Sequence, residues 1–425
     1  MRRKLAFLLA MTLMTTSLFA CGKNDETDKE PTSDNTEQTE VADDSKAEDK
    51  VAAPSTPTYA ITSVGADGYD YFTGGVQCIQ ITDDKHPELT AAIDKQFSDL
   101  VSDFNASVDS MNNEAKEMNE ENKKYAEENP DMSYEDMKYS QDFTVDVIRS
   151  DAKIFSFVLY NYVYTGGAHG ITDATGYSYD STTGELLELS KFGDEQAIKD
   201  TAVSYIKEII EESDQSAKDT LFAKDEYSDG YDALIDESFD DQAVPTYYLD
   251  NRGLTFVFQQ YSIAPYATGI ITFTVPYEKI DGFNEKYIPD DEFYTVELSP
   301  QGFIDEIDVN NDGTLEKVCL NYVDEQYTLC VGDDKSNEKY DQYCYVSGTF
   351  IHSKAGNFVL LSCDSTGLTL YDVSKGIKEV GSLDTNLSVK EIKEGEIILA
   401  EANYTDEGLT WGTPETHKYS KSGIE

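Results

Sequence analysis

Between Leu89 and Met111 the apolar residues Leu89, Ile93, Phe97, Leu100, Phe104, Val108 and Met111 recur at three- and four-residue steps, which predicts one buried helix face. Pro87 suits the first turn of that helix. From Asn112 to Asp136 the chain is rich in Asn, Glu and Lys, so this stretch reads as a solvated helix extension or a flexible insert. Upstream, Tyr59 to Val64 and Tyr69 to Ile81 read as strands with Gly-rich turns between them. Downstream, Phe143 to Ile148 and Lys153 to Tyr164 alternate apolar and polar, predicting a hairpin joined by Ser150 and Asp151. Gly176 to Asp180, a turn over 181–184, and Glu185 to Leu189 predict another hairpin. Asp194 is placed to cap a helix whose inner face is Ile198, Ala202, Tyr205, Ile206 and Ile209, and a shorter helix is expected over Tyr231 to Phe239. Strands return at Thr246 to Asp250, Leu254 to Gln259 and Gly269 to Val275. The pattern is α+β, without alternating parallel βαβ units.

From about Asp291 onward the character changes. Short β-type runs, Lys317 to Tyr322, Tyr327 to Val331, Tyr343 to Ser347, Asn357 to Ser362, Leu368 to Tyr371 and Glu396 to Ala400, are divided by turns rich in Gly, Asp, Asn and Ser. This portion resembles the repeats of calcium-loop β-propellers, though its length is short for a closed ring of blades. The expected organisation is a mixed sheet and helix domain over 59–285, followed by a β-rich, propeller-repeat-like domain over 291–425.

The first 58 residues do not fit a packed domain. Arg2, Arg3 and Lys4 precede an apolar run too short to span a bilayer, the layout of a signal peptide over 1–20. The run ends Leu18-Phe19-Ala20-Cys21, which resembles the lipobox of bacterial lipoproteins. That resemblance implies cleavage before Cys21, acylation of Cys21 and anchoring to the bacterial cell membrane, outside the cytoplasm. Residues 21–58 hold almost nothing apolar, so a lipidated Cys21 would lead into a disordered acidic tether.

Charge narrows the partners. With 33 Lys and Arg against 83 Asp and Glu, the net charge is -50, which excludes nucleic-acid binding through a basic footprint and steers cationic partners toward the chain. Twenty-nine tyrosines show that this is not simply an acidic disordered chain.

Four motifs share an order and spacing: Tyr164-Thr-Gly-Gly-Ala-His-Gly170 with the later Thr183-Gly184; Tyr248-Leu249-Asp250 with Gly253-Leu254; Tyr261-Ser-Ile-Ala-Pro-Tyr-Ala-Thr-Gly269; and Phe273-Thr-Val-Pro-Tyr277. Together they resemble the extracellular domain of unknown function shared by the lysozyme-sensing anti-sigma factor RsiV and the N-terminal region of the peptidoglycan deacetylase PdaC. The resemblance covers about Tyr59 to Phe283. It implies a binding or sensing module for lysozyme or a cell-wall component such as peptidoglycan. The outputs attached in those proteins are not expected: no anti-sigma segment precedes the leader, and after Phe283 there is no Asp and paired-His ligand pattern of a deacetylase.

Within these motifs Tyr164, Gly166, Gly167, His169, Tyr261, Pro265 and Tyr266 are the candidate binding residues. Gly166 and Gly167 suit either a demanding backbone corner or an anion cradle. His169 reads as a structural histidine bonded to a backbone carbonyl, or as an acid, base or ligand. Exposed tyrosines offer broad contact at small entropic cost. Farther on, Asp308, Asn310, Asp312, Thr314 and Glu316 alternate oxygen side chains around Gly313, the pattern of a calcium loop and equally of an Asx-rich β-turn. Position twelve of that loop is Cys319, so it is not a complete EF-hand, and Glu316 would close the site.

Leaving aside Cys21, the cysteines Cys78, Cys319, Cys330, Cys344 and Cys363 are odd in number and contain no C-x-x-C, so buried free thiols are the expectation. The nucleotide, nucleophile-elbow and zinc-protease motifs are missing, so no catalytic residue is assigned. The alternatives to a binding module are an envelope scaffold that positions wall-modifying enzymes and a glycan hydrolase.

Overall fold

A computed structural model of the chain describes residues 55–66, 68–129, 131–224, 229–240, 244–290, 293–323, 326–336, 340–341, 346–363, 367–405 and 408–425. The predicted leader, Cys21, Cys344 and most of the predicted tether lie outside the described residues.

The first sheet runs in the order β1-β2-β3-β4-β5. Its strands are β1 (Tyr59–Gly65), β2 (Phe72–Ile81), β3 (Tyr139–Ser150), β4 (Ile154–Tyr164) and β5 (Ile171–Asp180). Between β2 and β3 lies α1 (Pro87–Glu128), and its predicted stripe buries Leu89, Ile93, Phe97, Phe104 and Val108 against Val76, Ile79, Phe155 and Phe157 of the sheet. The polar stretch after Met111 continues this helix to Glu128. It stays docked through Asn119, which donates to Met137 O at 2.6 Å and accepts from Met137 N at 2.9 Å, meeting both backbone groups of one residue.

Two expectations change. Strands β2 and β3 pair in parallel, from Phe72 opposite Tyr139 to Val76 opposite Phe143, because the long helix returns the chain in the same direction. One βαβ unit therefore sits in an otherwise antiparallel sheet. The second predicted hairpin shrinks to a single bridge between Tyr179 and Leu186, since Leu187 and Leu189 turn into a different core. The ordered body also begins before Tyr59: Pro57 O accepts from Ser150 Oγ at 3.1 Å and Thr58 N donates to Asp83 at 2.7 Å.

That second core lies over α2 (Glu195–Glu212), α3 (Gln215–Lys218), α4 (Tyr231–Ser238) and a three-stranded antiparallel sheet, β6 (Thr246–Leu249), β7 (Gly253–Phe258) and β8 (Ile271–Pro276). Asp194 caps α2 by accepting from Ala197 N. Every residue of β7 is buried: Leu254, Phe256 and Phe258 join the helices, while Val257 meets Val158 and Ala174 of the first sheet. A glycine is required where β5 passes β6, because a Cβ on Gly176 would stand 2.5 Å from Tyr247 O. Ser178 finishes the junction, its hydroxyl 2.9 Å from Ser156 Oγ and accepting from Leu249 N at 2.8 Å.

The remainder is β-rich, built from several antiparallel sheets. One contains β10 (Asp305–Ile307), β11 (Glu316–Val323), β12 (Gln326–Val331), β13 (Asp334–Lys335) and β14 (Tyr340–Asp341). The next contains β9 (Tyr294–Glu297), β15 (Val346–Ser353), β16 (Gly356–Cys363), β17 (Gly367–Asp372) and β18 (Lys378–Leu383). A third joins β19 (Ser388–Lys393), β20 (Glu396–Ala400), β23 (Glu415–Ser420) and β24 (Gly423–Ile424), and β21 (Ala402–Thr405) pairs with β22 (Gly408–Trp411). Strand β16 shows how the first three sheets stack: Val359 and Leu361 face Val318 and Leu329, while Phe358 and Leu360 face Ile397 and Leu399. The β-rich part is tied to the second core by Phe303, which packs on Phe273 of β8 with ring centroids 5.1 Å apart, and by Arg252 of the β6–β7 turn, which donates to Asp305 at 2.9 Å.

Candidate binding face

Two of the predicted motifs, a hundred residues apart in sequence, meet on one surface. The first is the corner between β4 and β5. Gly166 and Gly167 take φ of 92° and 100°, which a side chain tolerates poorly, and a Cβ on Gly166 would lie 2.8 Å from Met137 Cε. Tyr164 closes the corner by donating to Gly167 O at 3.1 Å. Gly170 lies under the Tyr162 ring, where a Cβ would approach ring atoms to 2.5 Å. These contacts give the two central glycines a conformational task.

The second motif follows β7. The Gln259 side chain grips β5 like a strand partner, accepting from Ala174 N at 2.8 Å and donating to Ala174 O at 2.7 Å, while Gln260 accepts from Thr172 N at 2.9 Å. Ile263 and Ala264 are buried, which holds the turn down from below. Pro265 opens the 3-10 turn Tyr266–Thr268, and Gly269, at φ 79°, ends it.

Side chains from both motifs then stack. His169 lies on Tyr266 with centroids 3.7 Å apart and planes at 21°, and Tyr261 approaches Tyr266 at 5.7 Å. His169 Nδ1 lies 2.9 Å from Gly170 O, a backbone carbonyl. Tyr261 is 51% exposed and Ile171 49%, with Tyr162 close by on β4, so the stripe faces solvent. Tyr261 also has φ 67°, one of two non-glycine residues with positive φ among the described residues. Such strain in an aromatic residue is costly and concentrates at functional sites. Aromatic faces beside an imidazole suit the apolar faces of sugars, or cationic side chains.

A second feature escaped the sequence reading. A cleft of about 460 Å³ lies between the first module and the segment from Thr295 to Asp305, with Asp146, Tyr160, Thr272, Glu297 and Gln301 among its walls. Burial in the cleft pushes the Asp146 carboxyl up. It pushes Glu297 up as well, aided by the charge of Asp146. Tyr160 is raised by burial and by both carboxylates. Both residues are exposed by their accessible surface, so the raising comes from the walls crowding the carboxylates and not from closing water out. In the sequence, Asp146 is only the polar member of an alternating strand, and nothing there indicates that Glu297 will face it.

The acidic loop joins β10 to β11. Asp308 accepts from Asp312 N at 3.1 Å and Gly313 N at 2.9 Å, Asp312 accepts from Thr314 N at 2.8 Å, and Glu316 accepts from Val309 N at 3.0 Å and from Asn310 Nδ2 at 2.9 Å. The oxygens of Asp308, Asn310, Asp312 and Glu316 are thus engaged by the loop's own donors, Asn310 Oδ1 taking Asp312 N at 2.8 Å.

Two family models match the chain: Deacetylase PdaC over residues 65–172, and a protein of unknown function, DUF3298, over residues 192–278. The chain carries a PdaC domain followed by a DUF3298 domain. The PdaC match takes in most of the first sheet with α1, and the DUF3298 match takes in α2 to β8, so the stacked stripe joins one domain to the other. Similar solved structures include a DUF3298 family member from Bacteroides fragilis, 18% identical over 54% of this chain and 95% of that one, with a TM-score of 0.37. Another is a DUF3298 family protein from Pseudomonas aeruginosa, 15% identical over 56% of this chain and 98% of that one, also at TM-score 0.37. No curated protein matches the chain. Among the described residues no helix is long and apolar enough to cross a membrane.

Proposed function

We propose that this chain is a cell-surface lipoprotein, anchored through Cys21 outside the cytoplasm, whose PdaC–DUF3298 module binds or senses lysozyme or a peptidoglycan component. The observation that carries the reading is the convergence of His169, Tyr266 and Tyr261 from separate domains into one exposed stripe. The net charge of -50 supports a cationic partner, of which lysozyme is the named candidate. The loop from Asp308 to Glu316 is read as a calcium site of modest affinity, whose oxygens would exchange backbone donors for the cation. Face-to-face stacking of the C-terminal sheets supports their reading as propeller-like repeats.

Calorimetric titration with lysozyme and with soluble peptidoglycan fragments, at low and at physiological salt, tests the binding reading. Saturable binding that survives physiological salt, and that His169→Ala or Tyr266→Ala weakens about fivefold, is expected from the loss of one well-packed aromatic contact worth about 1 kcal/mol. Binding that disappears with salt and ignores both substitutions would reduce the attraction to charge alone.

A further inference from the structure

Three residues stand in a row across the C-terminal sheet that carries the acidic loop. Cys319 of β11 is directly opposite Cys330 of β12, and Cys330 is directly opposite Lys335 of β13. Two residues along, Gly332 N donates to Lys317 O at 2.8 Å, so the antiparallel alternation makes Cys319 and Cys330 a hydrogen-bonded pair. Such pairs hold their Cα atoms about 5.5 Å apart, inside the span that a disulfide bridges.

The surroundings distinguish the two thiols. The two facing thiols share one proton more readily than two, which lowers Cys330 and raises Cys319. Lys335 adds positive charge beside Cys330, and Asn321 Nδ2 lies 3.6 Å from its sulfur. The Cys319 thiol, the Lys335 cation and the Asn321 amide favour a Cys330 thiolate, against burial and the Asp214 carboxylate, and the cross-strand pairing places Cys319 as the resolving partner. Both thiols are buried, each 7% exposed, and among the described residues the two-residue strand β13, whose Asp334 and Lys335 are exposed, flanks Cys330 on its other side, so an oxidant reaches the pair when β13 opens.

We propose that Cys319 and Cys330 form a redox pair that closes to a cross-strand disulfide on reaction with a small-molecule disulfide. Cys330 thiolate attacks one sulfur of the oxidant, forming a mixed disulfide and expelling a thiolate. Cys319, giving up its proton to that thiolate or to water, attacks Cys330 sulfur and expels the second thiolate. Two protein thiols lose two electrons, the oxidant gains them, and both protons end on the released thiols. The bridge would lock β11 to β12 beside Asn321, which donates to Asp214 ahead of α3, and so fasten the β-rich part where it meets the helices.

The test treats the reduced full chain with oxidised glutathione, blocks remaining thiols, and cuts with an acid-specific protease between the cysteines at Asp324 or Glu325. Expected is a linked pair of fragments, one bearing Cys319 and the other Cys330, two hydrogens lighter than the separate fragments and released by reductant. Cys319→Ser is expected to stop at a glutathione adduct on Cys330, and Lys335→Gln to slow adduct formation severalfold. If both cysteines remain free to alkylate in the wild type, or are linked to other cysteines, the proposal is overturned. An unmodified Cys330 in Cys319→Ser overturns the assignment of attacking thiol.

Discussion

Arg252 is a buried ionic tie between the DUF3298 domain and the β-rich region, and its replacement by methionine should be among the most damaging single changes. Its guanidinium donates to Asp305 Oδ1 at 2.9 Å and to Thr274 Oγ1 at 3.1 Å, and Nε lies 3.7 Å from Asp250 Oδ2. The side chains of Arg252, Asp250 and Asp305 are 9%, 10% and 13% exposed, so water cannot replace the lost cation. The two carboxylates are not equally dependent on it. Asp250 keeps Arg252 N, Gly253 N and the hydroxyls of Thr255 and Thr274, whereas Asp305 keeps Ser299 N on its other oxygen. Breaking a buried pair from one side costs about 3–5 kcal/mol, and the backing that Asp250 retains places Arg252→Met near about 3 kcal/mol. Adding Asp305→Asn removes the stranded charge and should recover about half the loss. Urea unfolding followed by far-UV circular dichroism and by Trp411, the only tryptophan, gives both numbers and shows whether the β-rich region loosens first. A loss below about 1 kcal/mol in Arg252→Met, or a deficit that Asp305→Asn leaves intact, would refute the reasoning.

Two other expectations rest on the cleft and the stripe. Asp146 and Glu297 are held above the ordinary carboxylate range, so the folded chain binds more protons than the unfolded chain between about pH 4 and the raised values, and stability is lost as pH rises through that window. Asp146→Asn and Glu297→Gln should each raise the melting temperature at pH 7 and leave it nearly unchanged at pH 4, whereas equal shifts at both would show that burial is not the cause. Tyr261→Asn should stabilise the fold by roughly 0.5–1 kcal/mol, because Asn accepts the left-handed conformation more readily. The same change should weaken ligand binding in the calorimetric titration, and unchanged affinity would remove Tyr261 from the face.

The sequence displayed whatever local periodicity controls. The stripe from Leu89 to Val108, the cap at Asp194 and the alternation of β3 and β4 each settle one element, because each pattern has one burial solution. Pairing across distance was less visible. That β2 and β3 run parallel depends on where α1 ends, and its last turns carry no apolar stripe to mark them. The return segment after β5 looked like a strand because Leu187 and Leu189 alternate as strand residues do, yet both fill the helical core. The site was legible as two motifs rich in Gly, Tyr and Pro, whose contact depends on the Gln259 grip on β5. Asp146 and Glu297 were invisible because charged residues are so numerous that no pair stands out before the chain folds.

The stripe differs from an ordinary turn surface in where its strain is placed. Glycine serves at 166, 167 and 269, where the backbone alone needs positive φ, and each relieves a conformation that a side chain would oppose. At 261 the same backbone requirement falls on a tyrosine whose ring is half exposed and meets the Tyr266 ring at 5.7 Å. Core packing does not repay that strain, because the burial in this turn belongs to Ile263 and Ala264. A fold requiring only a turn here would be more stable with Gly or Asn. On the proposed binding role the ring serves what meets the surface, and the stability gained by Tyr261→Asn and the binding it loses should have a common origin.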